Sequence, residues 1–411
     1  MASRLKLLFL QAKWFCNAIL GSTDIFDFDI SIKQVEVKKG ETKETRELDL
    51  LSSQMKQGIH DRIKQDVYDL AKKKKKGHKV GRLKFKKVVQ SIPLKQYRNT
   101  YNILFPNKIH IQNITGWIKV RGLKQLPKDA EFANAVLLWK HGDFYLHVTV
   151  YTAKKENHVP EKSIGIDLGI KHQLTLSAGI VVDYAIKMPA NLRRLYQNLS
   201  RKVPGSKNYR KTCVKIQKQF AIWTNRKHDT SNKLTHVLTT RYKYICYQQD
   251  PVRNWQRIWG TRILDTNIGG LLTELANKSV TPCPVGQWIA TTKRCHKCHY
   301  ILTTPVPLSE RVFHCPNCSF IADRDWNASS SIEDLGLELN LHQYIFIQRG
   351  TERIAMPVET SASTRNKALY DDVMVTLNRI PFVRARALNE AGSLTLKSRE
   401  LEIEAQGFSL G

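Results

Sequence analysis

Ser163-Ile-Gly-Ile-Asp-Leu-Gly-Ile170 is the stretch that decides the fold. As a strand it sends Ile164, Ile166, Leu168 and Ile170 to one face and Ser163, Gly165, Asp167 and Gly169 to the other. One carboxylate then stands among residues small enough for a metal ion and a phosphate to approach the backbone. Leu174 to Leu176, a Ser-Ala-Gly turn and Ile180 to Val182 continue as a hairpin beside it. The plainer reading of Asp167 alone is an edge-strand acid facing water. Downstream, Ala322-Asp-Arg-Asp-Trp-Asn-Ala-Ser-Ser-Ser331 puts acids at the start of a helix whose small residues permit close packing on a sheet. Either Asp323 or Asp325 could simply cap that helix.

Between these stretches lies the strongest local signal. Cys295-x2-Cys298, sixteen residues, then Cys315-x2-Cys318 form two knuckles that close a tetrahedral thiolate site for Zn2+. Four protein ligands leave no open position, so the metal is structural. His296, His299 and His314 are adjacent, and a mixed ligand set stays open. The remaining cysteines, Cys16, Cys213, Cys246 and Cys283, are scattered, a usage that suits a reducing compartment.

The chain has 411 residues, 66 of them Lys or Arg against 36 Asp or Glu, for a net charge of +30. The first 330 residues hold 57 basic against 25 acidic side chains, so all the basicity lies upstream of the tail. Such an excess points to a polyanionic partner, most simply nucleic acid, with a membrane surface as the competitor. A composition 42% hydrophobic and 25% charged excludes disorder for most of the chain. No window approaches the roughly 18 to 20 apolar residues of a membrane span. Leu5 to Leu20, interrupted by Lys6, Gln11 and Lys13, reads as an amphipathic helix burying Leu5, Leu8, Phe9, Ala12, Phe15, Cys16 and Ile19 rather than as a signal peptide.

Residues 46–71 read as a second helix running into Lys72, Lys73, Lys74 and two further lysines, either a solvated helix end or a phosphate contact. From 82 the period changes to two. Arg82, Lys84 and Lys86 share one strand face and Leu83 and Phe85 the other, implying a barrel or curved sheet with a basic face. Further strands are expected at 108–113, 117–121, 134–140 and 143–151, with turns at Asn113, Gly122 and His141-Gly142. Residues 188–238 read as two helices broken at Pro204-Gly205. They carry Arg193, Arg194, Arg201, Lys202, Lys207, Arg210 and Lys211 with Asp229 as the lone acid, so charge pairing along the helix cannot account for that face. The tail after about 336 reads as weakly structured.

Taken together, Gly-Ile-Asp-Leu-Gly-Ile-Lys, a four-cysteine ribbon led by Thr-Thr-Lys-Arg-Cys, the intervening Leu308-Ser-Glu-Arg311 and Asp-Arg-Asp-x-Asn-Ala resemble the TnpB proteins of insertion sequences, which are RNA-guided nucleases and relatives of type V CRISPR effectors. The resemblance covers about residues 4–335 and is dense from 163. It implies an α/β plus β-barrel architecture. Residues 1–162 would be a wedge-type β-barrel with inserted recognition helices at about 25–80. Residues 163–335 would be a RuvC-like domain of the ribonuclease H fold, holding the basic hairpin and, at about 290–320, the zinc ribbon; 336–411 is the tail. It also implies Mg2+ at the RuvC site, with Asp167 and Asp325 as catalytic acids. The implied partners are a guide RNA and complementary double-stranded DNA bearing a short flanking motif, and the implied location is the prokaryotic cytoplasm at the nucleoid.

The departures matter as much. Where the family's middle Glu ends a hydrophobic strand, Tyr244-Ile-Cys-Tyr247 runs into Gln248. Mg2+ strongly prefers anionic oxygen, and one lost charge about 4 Å away weakens its attraction by about 4 kcal/mol per unit of metal charge at an effective dielectric near 20. Asp250, two residues on, would be displaced by about 6.6 Å along a strand, beyond metal reach. The stretch from Val280 to Thr292 holds no acid, leaving Glu274 as a distant substitute. Gln249-Asp250-Pro251 departs from the pattern too, which a single designed change would not produce. The family's first barrel strand is missing before Arg4, and His299 and Ser319 stand where knuckle glycines are usual. The leading expectation is a nuclease-dead RNA-guided DNA-binding protein acting by occupancy, as a transcriptional repressor. An active endonuclease with a relocated carboxylate and a guide-free zinc-ribbon DNA-binding protein are the alternatives.

Overall fold

A computed structural model describes residues 2–39, 42–127, 129–153, 158–307, 309–348 and 367–388. Leu308 of the Leu-Ser-Glu-Arg motif lies outside these, as do 349–366 and 389–411 of the tail. The chain divides into two compact units, 1–155 and 156–411.

In the first unit, α1 (Ala2–Gly21) buries the seven residues its spacing predicts, and Gln11 with them. A hairpin of β1 (Gln34–Lys39) and β2 (Thr42–Glu47) precedes α2 (Ser53–Lys75), whose N-cap Ser52 accepts a bond from the Met55 amide. The helix thus starts seven residues later than its sequence suggested, because Thr42 to Glu47 pairs with β1. For the same reason the region 25–80 is only partly helical. Met55, Ile59 and Ile63 face the core shared with α1.

Then follow β3 (Ser91–Leu94), β4 (Tyr101–Leu104), β5 (Lys108–Ile111), β6 (Ile118–Lys119), β7 (Glu131–Lys140) and β8 (Asp143–Tyr151). His141 and Gly142 both take positive φ, 56° and 80°, as a two-residue hairpin turn requires. The described strands form separate sheets, β1-β2, β3-β7-β8 and β4-β5-β6, with no ladder closing them into the expected barrel. The expected basic strand at 82–87 is also not a strand. It finds no ladder partner, and Phe85, assigned to a core face, is 65% exposed. The segment is fastened instead by Asn17, whose side chain donates to the Lys86 carbonyl at 3.1 Å and accepts from the Lys86 amide at 2.7 Å.

The second unit is built on β9 (Ser163–Leu168), β10 (Leu174–Leu176), β11 (Ile180–Asp183), α3 (Ala190–Ser200), α4 (Lys207–Arg241), β12 (Tyr244–Gln248), α5 (Val252–Trp259), α6 (Thr261–Leu264), α7 (Ile268–Lys278), β13 (Thr281–Val285), β14 (Val312–His314), β15 (Ile321–Asp323), α8 (Arg324–Gln348), α9 (Lys367–Asn378) and β16 (Arg384–Ala387). Its sheet runs β13-β12-β9-β10-β11-β16, with β13, β12 and β9 parallel and the rest antiparallel. One face packs Ile164 and Ile166 against Leu234 and Leu238 of α4 and Leu271 and Leu275 of α7. On the other lies α8, seated by two glycines. A Cβ on Gly165 would stand 2.0 Å from the Ser329 carbonyl, and one on Gly336 would stand 2.8 Å from the Cys246 sulfur.

The tail departs from its expected weak structure where it is described. Val373 and Leu377 of α9, with Ile380 and Val383, join the sheet's core, and β16 pairs with β11. Arg241 holds Asp372 at 2.6 Å, and Asn378 brackets Ala385 through both its amide atoms. A single apolar stripe, Leu369, Val373 and Leu377, among Ser, Thr and charges was too thin to read as a core helix.

Candidate nucleic-acid interface and carboxylate cluster

Asp167 lies near the end of β9, largely enclosed. Burial pushes its carboxyl well above the ordinary range, and Asp325 and then Asp250 push it further, with Arg324 opposing. Two of the acids have divided roles. Asp323 caps α8, its Oδ1 accepting from the Asp325 and Trp326 amides at 2.9 and 3.0 Å, so the cap is Asp323 and Asp325 is free for other work. Asp325 is gripped by Arg311 at 2.8 Å and by Arg324 at 3.1 Å, one guanidinium on each oxygen. Sequence reasoning missed these arginines, although Arg311 stood inside a quoted motif and Arg324 beside the acid.

Gln248 ends β12 as expected, but its side chain is fully engaged elsewhere. Nε2 donates to the carbonyls of Ile289 at 2.9 Å, Gly286 at 3.3 Å and Gln287 at 3.5 Å, and Oε1 accepts from Thr291 at 2.8 Å. The amide therefore clamps the segment leaving β13, and a carboxylate could not make the same set of bonds. Asp250 does not continue along the strand. Its amide donates back to the Gln248 carbonyl at 3.0 Å, so the chain turns, and Asp250 joins the groups acting on Asp167. The strand spacing that put it out of reach does not apply. Burial alone raises its own carboxyl to about 6. Glu274 pairs with Lys278 on α7 and is not among the groups acting on Asp167.

The four ribbon cysteines converge, with all ligand sulfurs within 4.8 Å of one another, the one such His, Cys, Asp or Glu group among the described residues. Cys295 and Cys315 are buried. The Asn317 side chain and the Tyr300 amide pull the Cys298 thiol down to about 6, while burial pushes Cys295 up to about 12. His299 and Ser319 adopt positive φ, 62° and 54°, so both knuckles keep their bend without glycine. His296 is turned away to Asp334 at 2.8 Å, tying the ribbon to α8. This donor set fits Zn2+, held by Cys295, Cys298, Cys315 and Cys318. The Asp167, Asp250 and Asp325 oxygens do not converge in that way, and both Asp325 oxygens are occupied by arginine. As placed, they do not form a cradle for Mg2+.

Arg193, Arg194, Arg201, Lys207, Arg210 and Lys211 are exposed on α3 and α4, and an open groove of about 330 Å3 between these helices is lined by Arg194, Lys215 and Lys218. Lys202 is half-buried on Thr212. Lys227 leaves the basic face altogether, lying 3.9 Å over the Trp223 ring with its amine on the Leu264 carbonyl. In the first unit Lys72, Lys73 and Lys74 are exposed in the last turn of α2, and Arg82, Lys84 and Lys86 are exposed along the irregular 81–88 segment.

Two family profiles match this chain: OrfB_IS605, described as "Probable transposase", over 146–249, and the Cas12f1-like TNB domain over 274–332. Similar proteins include a "Putative RNA-guided DNA endonuclease" of Streptomyces pristinaespiralis, 27% identical over 186 residues, covering 43% of this chain and 45% of the relative. Another is the "Putative RNA-guided DNA endonuclease InsQ" of Escherichia coli (strain K12), 26% identical over 243 residues, covering 53% and 59%. The chain spans about half the length of the curated relatives it matches. A Cas12f1 in complex with sgRNA and target DNA matches at 13% identity over 68% of this chain and 78% of its own, TM-score 0.26. A CRISPR-Cas12f ternary complex matches at 14% over 79% and 80%, TM-score 0.28. Over these segments the chain is similar to putative RNA-guided DNA endonucleases, and it carries one stretch that matches a transposase profile and one that matches a Cas12f1-like profile. No helix among the described residues is long and apolar enough to cross a membrane.

Proposed function

We propose that this protein binds a guide RNA and the matching DNA beside a short flanking motif, and that it acts by occupying its target rather than by cutting it. The observation that carries the second half is Gln248. The position that resemblance assigns to a metal-binding Glu holds an amide whose donor and acceptor are both spent on the 286–291 segment. The basic faces of α3–α4 and of 72–86 supply phosphate contacts, while sequence is read by base pairing to the guide. The zinc ribbon is structural, and blocking a promoter is the simplest output.

One observation favours a second reading, an active endonuclease in which Asp250 is the relocated carboxylate once the acids draw together on metal: the chain turns after Gln248, and the Asp250 charge is felt at Asp167. A single experiment separates the two. Protein loaded with its copurified RNA is assayed for binding and for cleavage of a plasmid carrying the complementary target, as wild type, Asp167→Ala and Asp250→Ala. Guide-dependent binding without cleavage supports occupancy. Cleavage lost in both variants establishes the second reading, and binding indifferent to the guide would overturn both.

A further inference from the structure

The clamp made by Gln248 has a product. Gly286 to Ile289 form a tight turn, closed by the Ile289 amide on the Gly286 carbonyl at 3.1 Å, and the Ile289 side chain packs onto the small core of Cys246, Cys283 and Val285. The turn is therefore fixed at its backbone by Gln248 and at its far corner by packing. Yet its third residue, Trp288, is 90% exposed, the highest exposure among the large apolar side chains described. A rigid turn that holds an indole in water adds nothing to the core and invites association.

The surroundings choose the partner. Gln248 pairs with Val285, so parallel β12 and β13 finish at the same end of the sheet and release α5 and the Trp288 turn side by side in the topology. Residues 251–264 carry exposed Arg253, Arg257 and Arg262 and no acid; residues 281–300 carry exposed Lys297 and no acid, while Lys293 is half-buried on the Thr303 carbonyl and Arg294 is buried. An exposed indole and exposed cations carried by neighbouring segments match a nucleotide, whose base stacks while its phosphate is neutralised. An acidic protein surface would use the charges but not a flat, fully exposed ring.

We propose that Trp288 is a stacking platform for an unpaired base of bound nucleic acid, and that Gln248 is the positioning residue that holds it out. This rests on the nucleic-acid reading above. It gives Gln248 a role of its own instead of leaving it as a worn metal ligand.

The test is fluorescence anisotropy of zinc-loaded, full-length protein on a short labelled oligothymidylate and on the same strand with abasic sites. Trp288→Ala is expected to weaken binding to the intact strand by about fivefold to a hundredfold, the range for one lost base stack. Trp288→Phe should retain most of the affinity, and wild type on the abasic strand should bind as weakly as Trp288→Ala. Gln248→Leu, which removes all four clamp bonds without adding charge, should lose affinity toward the Trp288→Ala level while keeping its zinc, with faster amide exchange at 286–291. Trp288→Ala binding within about twofold of wild type overturns the platform alone. Equal losses on intact and abasic strands overturn base stacking. Wild type binding neither strand overturns the nucleic-acid reading itself.

Discussion

Gln248→Glu looks like a repair, since it restores the carboxylate that the family resemblance assigns to this position. The geometry says it breaks the structure instead. The amide nitrogen faces three carbonyl oxygens at 2.9 to 3.5 Å. An anionic oxygen there leaves them without a donor, which costs about 1 to 3 kcal/mol for a half-buried acceptor. It also adds a negative charge two residues from Asp250, whose carboxyl, raised to about 6, is ionised at neutral pH, and like charges repel. The Thr291 hydroxyl bond to the other oxygen strengthens with charge and returns about 1 kcal/mol. With the repulsion and the strengthened Thr291 bond roughly offsetting, the lost donors set the expected net loss at about 1 to 3 kcal/mol at neutral pH. Its pH dependence follows from linkage. The new Glu has a raised folded-state pKa, so the penalty is full above that pKa and fades as pH falls toward the ordinary value near 4.3. A protonated carboxyl can again donate to the Ile289 carbonyl. Urea unfolding of wild type and variant at pH 7.5 and 4.5, beside plasmid cleavage of the guide-loaded proteins, checks both halves. A variant as stable as wild type at pH 7.5 that also gains cleavage would refute the reasoning.

Asp250→Asn should stabilise the protein at pH 7.5 by roughly 2 kcal/mol, because the carboxyl raised to about 6 by burial carries a cost above that pH which vanishes on descent toward 3.8; urea midpoints at two pH values read it, with no gain expected near pH 4. Gly165→Ala should cost about 3 kcal/mol or more, since its methyl meets the Ser329 backbone at 2.0 Å and α8 cannot withdraw without uncovering the sheet; thermal unfolding measures it. Metal analysis should find one zinc per chain in wild type and none in Cys315→Ser/Cys318→Ser, whose ribbon should become protease-sensitive.

What was legible in the sequence was whatever a short spacing fixes by itself. Two Cys-x-x-Cys knuckles, the seven apolar positions of α1 and the His141-Gly142 turn each carry their geometry within a few residues. What was not legible depended on partners distant in the chain. The basic alternation at 82–87 has the strand period, but a strand needs a neighbouring ladder, and none is there. The helix read from residue 46 overlapped the end of β2 because nothing local reveals that Gln34 to Lys39 will pair with Thr42 to Glu47. The tail's α9 and β16 are held by a core to which residues 164–275 supply most of the side chains. At the site, the identity of position 248 was plain, yet the clamp it forms with 286–291 lies some forty residues away in sequence.

The charge balance of the carboxylate cluster draws these points together. Asp325 and Asp250 both act on Asp167 across a partly enclosed site, an arrangement that must be offset. Two arginines offset Asp325, burial and the neighbouring acids favour the protonated form of Asp167, and burial raises Asp250 to about 6. The compensation thus comes from guanidinium and protons, both carried by the chain's own residues. A carboxylate at 248 would add a further negative charge beside Asp250, whereas an amide adds none and leaves its hydrogen bonds for the turn that bears Trp288. The residue that weakens the case for cutting is, on this account, the one that shapes the binding edge.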